Sequence, residues 1–311
     1  MSSNFWKSNP CSPSWSDFVS NWIYSHPPKL VNSSILPPLP IIPIAGCLLQ
    51  KASPNHLSML SEFLNRYFSN SIHYSCRIPI SALQNPLWDI YVVLYNNQII
   101  GSIIRKWVLN VYVDRVKWPK AGVIDYFCVH PSWKKKGIGR WLLTHLHNST
   151  QCPIPPHFIF WEGLQPSYPP LSIGFFVSKI SVSQSPLLHK IPLTKQIWEL
   201  SVGKKSVWSE WNPNANEISV WKPIQSNTLV LVWNTFHSSA YGPIGIVLSG
   251  SFQAIQELSN SKSYWGVLLV PQINPFFSEF RKLNWSIDSP YQWIAYNMIS
   301  SSFSDFPALC L

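Results

Sequence analysis

The chain has 311 residues, enough for one large or two ordinary domains, and 46% of them are hydrophobic, as is typical of a globular protein. A net charge of +10, from 23 basic and 13 acidic residues, suits an anionic ligand such as a phosphorylated cofactor. The basic residues are too dispersed for a nucleic-acid interface, the six cysteines lack metal-binding spacing, and no run of about 18 apolar residues occurs. We therefore expect a cytoplasmic protein that holds no metal and binds no nucleic acid.

The first part of the chain predicts a helix, a hairpin and further strands before a glycine-containing turn. Residues 1–50 are rich in proline and predict an extended arm. The predicted elements that follow are a helix over 57–67, a hairpin of strands 89–95 and 98–104, strands over 107–112 and 122–129, a glycine turn at 134–139 and a helix from residue 138.

The second part of the chain repeats this order less clearly. Its predicted elements are a helix over 194–200, a hairpin of strands 228–236 and 243–249, a helix over 250–258, a strand over 265–270 and a helix over 277–283. Two similar series of elements predict a duplicated fold, in which only the first copy contains the glycine turn.

The glycine turn joins a strand that ends at Val129 to a helix that begins near Ile138. Glycines at 137 and 139 let a ligand approach the backbone, because no Cβ stands in the way. The N–H groups of the helix start, the helix dipole and three lysines favour an anion. The pattern predicts a phosphate or pyrophosphate cradle. An ordinary strand-turn-helix connection with a solvated lysine cluster would contain the same residues.

The order of these elements resembles the plan of the GNAT acyltransferase superfamily. That superfamily has a central Q/R-x-x-G-x-G/A motif, and its counterpart here is Lys134-Lys135-Lys136-Gly137-Ile138-Gly139. The resemblance implies that the backbone amides of this turn hold the pyrophosphate of coenzyme A.

Within that superfamily the chain resembles N-myristoyltransferase, which uses the GNAT fold twice with one cofactor site. Phe5-Trp6-Lys7-Ser8-Asn9-Pro10 resembles the F-W-x-T-Q-P element of that family's N-terminal arm. The run from Val123 to His130, VIDYFCVH, resembles the family's central strand, E-I-N-F-L-C-V-H. Tyr296-Asn297 and the apolar tail to Leu311 resemble the family's C-terminal end.

The resemblance also implies roles for individual residues. The main-chain amides of Tyr126 and Phe127 match the family's donors to the thioester carbonyl, and the α-carboxylate of Leu311 matches its catalytic base. Phe5 and Trp6 match the arm that contributes to the acyl-CoA site. From their chemistry alone, Asp125 and Glu162 could hold the ammonium group of an acceptor, although isolated carboxylates are more often structural.

Together these observations predict a mixed α/β (α+β) protein with two tandem GNAT-like halves around a continuous, saddle-shaped sheet. Residues 1–50 would form the arm, 51–185 the acyl-CoA-binding half, and 186–311 the peptide-binding half, with the C-terminus returning to the active site. The resemblance implies a monomer that transfers myristoyl from myristoyl-CoA to the N-terminal glycine of peptides or proteins, with transient proximity to membranes.

Two other functions fit the sequence. An N-acetyltransferase using acetyl-CoA would need only the glycine turn. A non-catalytic structural or acyl-CoA-binding descendant would keep the fold without the peptide site. The length of the bound acyl chain and turnover with a glycine-starting peptide would separate these alternatives.

Overall fold

The structure is a computed structural model. The residues it describes are 9, 11–24, 27–34, 37–68, 74–150, 154–162, 170–180, 188–203, 205–213, 215, 217–224, 226–260, 265–271, 274, 276–298, 300 and 307–309. The predicted site residues Phe5, Trp6 and Leu311 lie outside these ranges, as does the side chain of Glu162.

The described residues form seven α-helices and fourteen strands. The helices are α1 Trp15–Tyr24, α2 Leu57–Tyr67, α3 Ile80–Leu83, α4 Ile138–Asn148, α5 Lys195–Val202, α6 Phe252–Ser259 and α7 Phe277–Lys282. The strands are β1 Cys47–Lys51, β2 Tyr74–Cys76, β3 Trp88–Tyr95, β4 Gln98–Val113, β5 Val116–Val129, β6 His157–Glu162, β7 Pro170–Ile180, β8 His189–Ile191, β9 Val207–Ser209, β10 Ile218–Lys222, β11 Val230–Ser239, β12 Gly242–Ser249, β13 Val267–Pro271 and β14 Ser286–Tyr296.

All fourteen strands belong to one sheet. Twelve of them lie in the order β1-β3-β4-β5-β6-β14-β7-β13-β12-β11-β10-β8, while β2 pairs with β11 and β9 pairs with β4. Among the described strands only β5–β6 and β12–β13 are parallel pairs, and the described residues of each crossover include one α-helix, as is usual for parallel strands. The predicted mixed α/β class with one continuous sheet is confirmed.

Helices cover both faces of the sheet around β4 and β5. The buried residues of α2 recur at helical spacing and pack in one apolar cluster with Ile104 and Tyr126. The buried face of α4 packs in another cluster with Ile103 and Ile124. Because neighbouring strand residues point to opposite faces, β4 must be apolar on both, and Ile99, Ile100, Ile103 and Ile104 are all buried.

The sequence patterns do not predict several short elements, namely α3, β1, β2, β6, β8, β9 and β10. The structure also differs from the predictions in three further places. The arm is not extended throughout, because residues 15–24 form α1. The strands predicted at 98–104 and 107–112 are one strand, β4. Strands β7 and β14 are not predicted from the sequence, since each contains a proline, which weakens a strand pattern. Pro170 is tolerated as the first residue of β7, and Pro290 lies where the pairing of β14 with β7 is irregular.

Among the described residues, no helix is both long and apolar enough to cross a membrane. No group of three or more His, Cys, Asp and Glu side chains in the same part of the chain could hold a metal ion.

Candidate active site

The turn between β5 and α4 leaves the start of the helix without a side-chain cap. Gly137 is the residue before the first helical turn, and its φ of +90° is one that glycine adopts at little cost. The first N–H groups of any α-helix have no partner within the helix. Gly137 has no side chain that could accept from them, so they are available to an external anion.

The helix of the other parallel crossover, α6, is capped by the protein itself. In α6 the hydroxyl of Ser251 accepts from the N–H of Ala254 at 3.3 Å. This serine satisfies a donor that a ligand could otherwise use. Of these two helices, only α4 begins with N–H groups that no side chain caps.

The two glycines of the turn have different surroundings. A Cβ on Gly137 would meet only the Cδ1 atom of Ile44, at 3.6 Å. A Cβ on Gly139 would lie 3.0 Å from the Cζ atom of Phe127. Only Gly137 therefore borders open space, and the absence of a side chain at Gly139 makes room for the Phe127 ring rather than for a ligand.

Strand β5 contains a bulge directly before this turn. Asp125 pairs with Ile104 of β4 and Cys128 pairs with Ser102, so two residues of β5, Tyr126 and Phe127, face one residue of β4. Tyr126 has a φ of +45°, and its carbonyl accepts from the Ser102 hydroxyl at 3.2 Å. The bulge redirects the main chain at the two positions predicted to polarise a thioester.

The bulge lies where β5 and β6 stop pairing. Their described parallel pairs run only from Gly122–His157 to Ile124–Ile159, whereas β5 continues to Val129 beside β4. A bulge beside separating strands leaves main-chain groups without a ladder partner, which is the arrangement that an oxyanion donor requires.

The two predicted oxyanion donors are not equivalent. The N–H of Tyr126 donates to the carboxylate Oδ1 of the preceding Asp125 at 2.7 Å. Tyr126 could donate to a substrate only if this contact broke. Phe127 is the better candidate of the two, and both assignments stay predictions.

Asp125 belongs to a buried group of three charges that the sequence did not reveal. Its Oδ2 lies 2.7 Å from the ammonium of Lys106, which also lies 2.7 Å from Oε1 of Glu217. The side chains of Lys106 and Glu217 are each 1% exposed, and that of Asp125 is 26% exposed. The ammonium also lies over the rings of Trp88 and Tyr126, at 4.6 and 4.8 Å from their centroids. We call Lys106, Asp125 and Glu217 the charge triad.

Burial and Coulombic interactions oppose each other in the triad. Burial alone would lower the pKa of Lys106, but its two carboxylate neighbours raise that pKa overall, so the lysine stays charged. Burial raises the pKa of Glu217, and the attraction of Lys106 does not fully offset it.

The N-terminal arm is fastened to the sheet beside α4. Asn9, which belongs to the predicted Phe5-to-Pro10 element, accepts from the Tyr296 hydroxyl at 2.7 Å through its side-chain oxygen. The main-chain N–H of Asn297 donates to Cys11 at 2.7 Å. Farther along the arm, Leu39 exchanges two hydrogen bonds with the amide of Asn148, each at 2.8 Å. These contacts bring the arm to the helix that begins at the glycine turn.

The predicted residues therefore fall into three groups. The turn residues and the bulge residues lie together, because Phe127 packs on Gly139. Asp125 is next to them, but its carboxylate forms an ion pair with Lys106. Glu162 is the last residue of β6, and its side chain is outside the described part of the structure, as are Phe5, Trp6 and Leu311. Lys106 and Glu217 were missed because they are 111 residues apart and no local pattern connects them.

One stretch of the chain is similar to a known protein family. Residues 57–148, from α2 to the end of α4, match the model of the Acetyltransferase (GNAT) family. A search of curated protein sequences finds no match.

Solved structures extend the similarity to nearly the whole chain. The N-myristoyltransferase of Saccharomyces cerevisiae with bound myristoyl-CoA is 11% identical, with a TM-score of 0.69 over 96% of this chain and 93% of that chain. Another structure of that enzyme, with myristoyl-CoA and inhibitors, is 10% identical, with a TM-score of 0.69 over 96% of this chain and 90% of that chain. The predicted resemblance to N-myristoyltransferase is confirmed as a similarity of fold.

The lysines of the turn should make a modest, salt-dependent contribution to binding. Lys134, Lys135 and Lys136 are all exposed, and salt screens exposed charges strongly. We expect the double variant Lys134→Ala/Lys136→Ala to weaken coenzyme A binding about three- to tenfold at low salt and less at 0.5 M salt, as measured by titration calorimetry. Equal losses at both salt concentrations would contradict this.

Proposed function

We propose that this protein is an acyl-CoA-dependent N-acyltransferase that transfers a long-chain acyl group, myristoyl, to the N-terminal glycine amine of peptides or proteins. One observation carries the proposal. An uncapped helix start at Gly137 packs through Gly139 against a bulged strand, beside the gap between β5 and β6. This arrangement can hold an anion and present a main-chain donor within one site, in a chain whose fold is similar to N-myristoyltransferase.

In this proposal each part of the site has one task. The amides at the start of α4 hold the pyrophosphate, and the adjacent lysines add positive charge. The N–H of Phe127 stabilises the oxyanion that forms when the acceptor amine attacks the thioester carbonyl. The amine loses a proton to a base, and coenzyme A leaves as its thiol.

The base is proposed to be the α-carboxylate of Leu311. Leu311 is outside the described residues, but the tail just before it is buried. The N–H of Ala308 donates to Val207 at 3.0 Å, and the Ala308 carbonyl accepts from Ser209 at 3.2 Å. These contacts bring residues 307–309 to the edge of β9, inside the core. Desolvation of a carboxylate would strengthen it as a base.

Acetyl-CoA is the second candidate donor, and the interior between α4 and the sheet favours it. A cavity of about 20 Å³ lies there, lined by Ile124, Leu143, Leu146, His147, Thr150, Ile154, His157 and Tyr296. This volume holds about one water molecule. A myristoyl chain entering there would have to displace the surrounding side chains, whereas an acetyl group would not need to enter.

The rise in melting temperature on adding a ligand tests which acyl-CoA the protein binds. A ligand that binds only the folded state stabilises it by about 2.7 kcal/mol at a concentration of 100 Kd. We expect myristoyl-CoA to raise the melting temperature by several degrees, and more than acetyl-CoA or free coenzyme A at equal concentration. Equal shifts for all three would favour the acetyl donor, and no shift with any of them would contradict the proposal.

A measurement of acyl transfer then shows whether the protein is an enzyme or only binds acyl-CoA. A glycine-starting peptide should be acylated in the presence of myristoyl-CoA, and the same peptide with an acetylated N-terminus should not. A thermal shift without turnover would identify the non-catalytic descendant. A cytoplasmic location, a monomeric state and transient contact with membranes remain predictions.

A further inference from the structure

The charge triad carries one more negative charge than positive. Lys106 is its single cation, shared by Asp125 and Glu217 at the same distance of 2.7 Å. Two other titratable groups, Cys76 from β2 and the phenol of Tyr126 from β5, also interact electrostatically with the triad. Burial raises the pKa of Cys76 to about 12 and that of Tyr126 well above its usual value, so neither ionises near neutral pH.

The surplus charge is exposed on one side only. The side chains of Lys106 and Glu217 are buried. Asp125, with 26% of its side chain exposed, is the member of the triad that solvent or a ligand can reach. Trp233 covers the other oxygen of Glu217, with its indole nitrogen at 3.4 Å from Oε2, and the Trp233 ring packs edge-on against Phe160. A cation could therefore approach the triad at Asp125, beside the bulge.

A surplus buried charge is costly for stability. Removing a charge from water costs several kcal/mol in proteins, and a buried ion group is often no more stable than an apolar replacement. If these residues only joined β4 to β5, one lysine and one carboxylate would form the ion pair without a surplus charge. The second carboxylate comes from Glu217, just before β10, whereas Lys106 and Asp125 belong to β4 and β5.

We propose that Lys106 and Glu217 are positioning residues for the acceptor: they fix the Asp125 carboxylate and leave the triad with a negative charge that the protonated amine of the acceptor neutralises. This inference rests on the proposed N-acyltransferase function. A peptide α-amine has a pKa near 7.7–8.0, so it arrives mostly as an ammonium at pH 7. The triad would bind that ammonium before the base removes its proton.

The first test needs neither cofactor nor substrate. Folding raises the pKa of Glu217, so its charge destabilises the folded state above that pKa, and the penalty diminishes as the pH falls. The melting temperature of the wild type minus that of Glu217→Gln should therefore rise as the pH falls through the raised folded-state pKa of Glu217, by about 1–3 °C per pH unit. A difference that instead falls as the pH falls would overturn the inference, because it would show that the folded state stabilises the ionised form of Glu217.

The second test measures peptide binding by calorimetry, with the protein saturated with coenzyme A. A glycine-starting peptide should bind the wild type about tenfold or more tightly than it binds Glu217→Gln or Asp125→Asn, because each variant removes one negative charge. Coenzyme A affinity should be unchanged in both. N-terminal acetylation of the peptide should weaken its binding to the wild type and have little further effect on its binding to Glu217→Gln.

Glu210→Gln is the matched control. Glu210 also accepts from a lysine, Lys117, at 2.9 Å, but on the surface and outside the site. This variant should bind the peptide as the wild type does. Equal peptide affinity for the wild type and Glu217→Gln, or no peptide binding to the wild type, would overturn the inference. Failure of the proposed function would show instead as no thermal shift with any acyl-CoA, while the pH test of the triad could still succeed.

Discussion

Replacing Gly137 by valine should reduce acyl-CoA affinity by at least about a hundredfold while most of the protein stays folded. Its φ of +90° is strained for any L-residue and most for a β-branched one. Valine would therefore force the turn into another conformation and move the N–H groups at the start of α4 away from the pyrophosphate. Loss of two or more charge-assisted hydrogen bonds, each worth about 1.5–3 kcal/mol, supports the expected factor. Titration calorimetry with myristoyl-CoA and with coenzyme A would measure it.

A strained glycine elsewhere controls for loss of stability. Gly242, the first residue of β12, has a φ of +126° and lies outside the glycine turn. Gly242→Val should lower the melting temperature yet leave acyl-CoA affinity unchanged in the fraction that is folded. If Gly137→Val binds coenzyme A as tightly as the wild type, the cofactor is not held at this turn.

Replacing Lys106 by methionine should reduce the free energy of unfolding by about 3–5 kcal/mol, since removal of one partner leaves buried charges uncompensated. The side chain is 1% exposed, and its loss would leave Asp125 and Glu217 facing each other without a cation. Methionine keeps most of the volume, so packing beside Trp88 and Tyr126 should change little. Urea denaturation at pH 7 would measure the loss.

Charge neutralisation should reverse that effect. The triple variant Lys106→Met/Asp125→Asn/Glu217→Gln removes all three charges and should recover most of the lost stability, because uncharged replacements of buried ion groups are often well tolerated. Lys117→Met is the control: Lys117 pairs with Glu210 on the surface, where solvent screens the interaction, and its loss should have little effect. A Lys106→Met variant as stable as the wild type would show that the triad is not the buried ion group described here.

Much of the fold was readable from the sequence because its signals are local. The apolar spacing in α2 and α4, the hairpin around Asn96-Asn97 and the change from strand to helix at the glycine turn each arise within about fifteen residues. The GNAT-like order of elements in residues 57–148 and the position of the glycine turn follow from these patterns. The net charge of +10 and the lysines of the turn likewise indicated an anionic ligand.

Only the tertiary structure could decide how distant segments share the site. Pairing of β14 with β6 and β7 brings residues 286–296 into the centre of the sheet, and no local periodicity specifies that pairing. Gly137 and Gly139 read alike in the sequence, yet one borders open space and the other accommodates Phe127, because the bulge in β5 directs that ring onto α4. Asp125 read as an isolated carboxylate, but the other members of the triad come from β4, which contains Lys106, and from Glu217, the residue just before β10. The sequence by itself thus determined most of the elements of residues 57–148 and the position of the glycine turn. The long-range packing of one sheet decided which charges meet, since burial and Coulombic interactions depend on distance in space and not on separation along the chain.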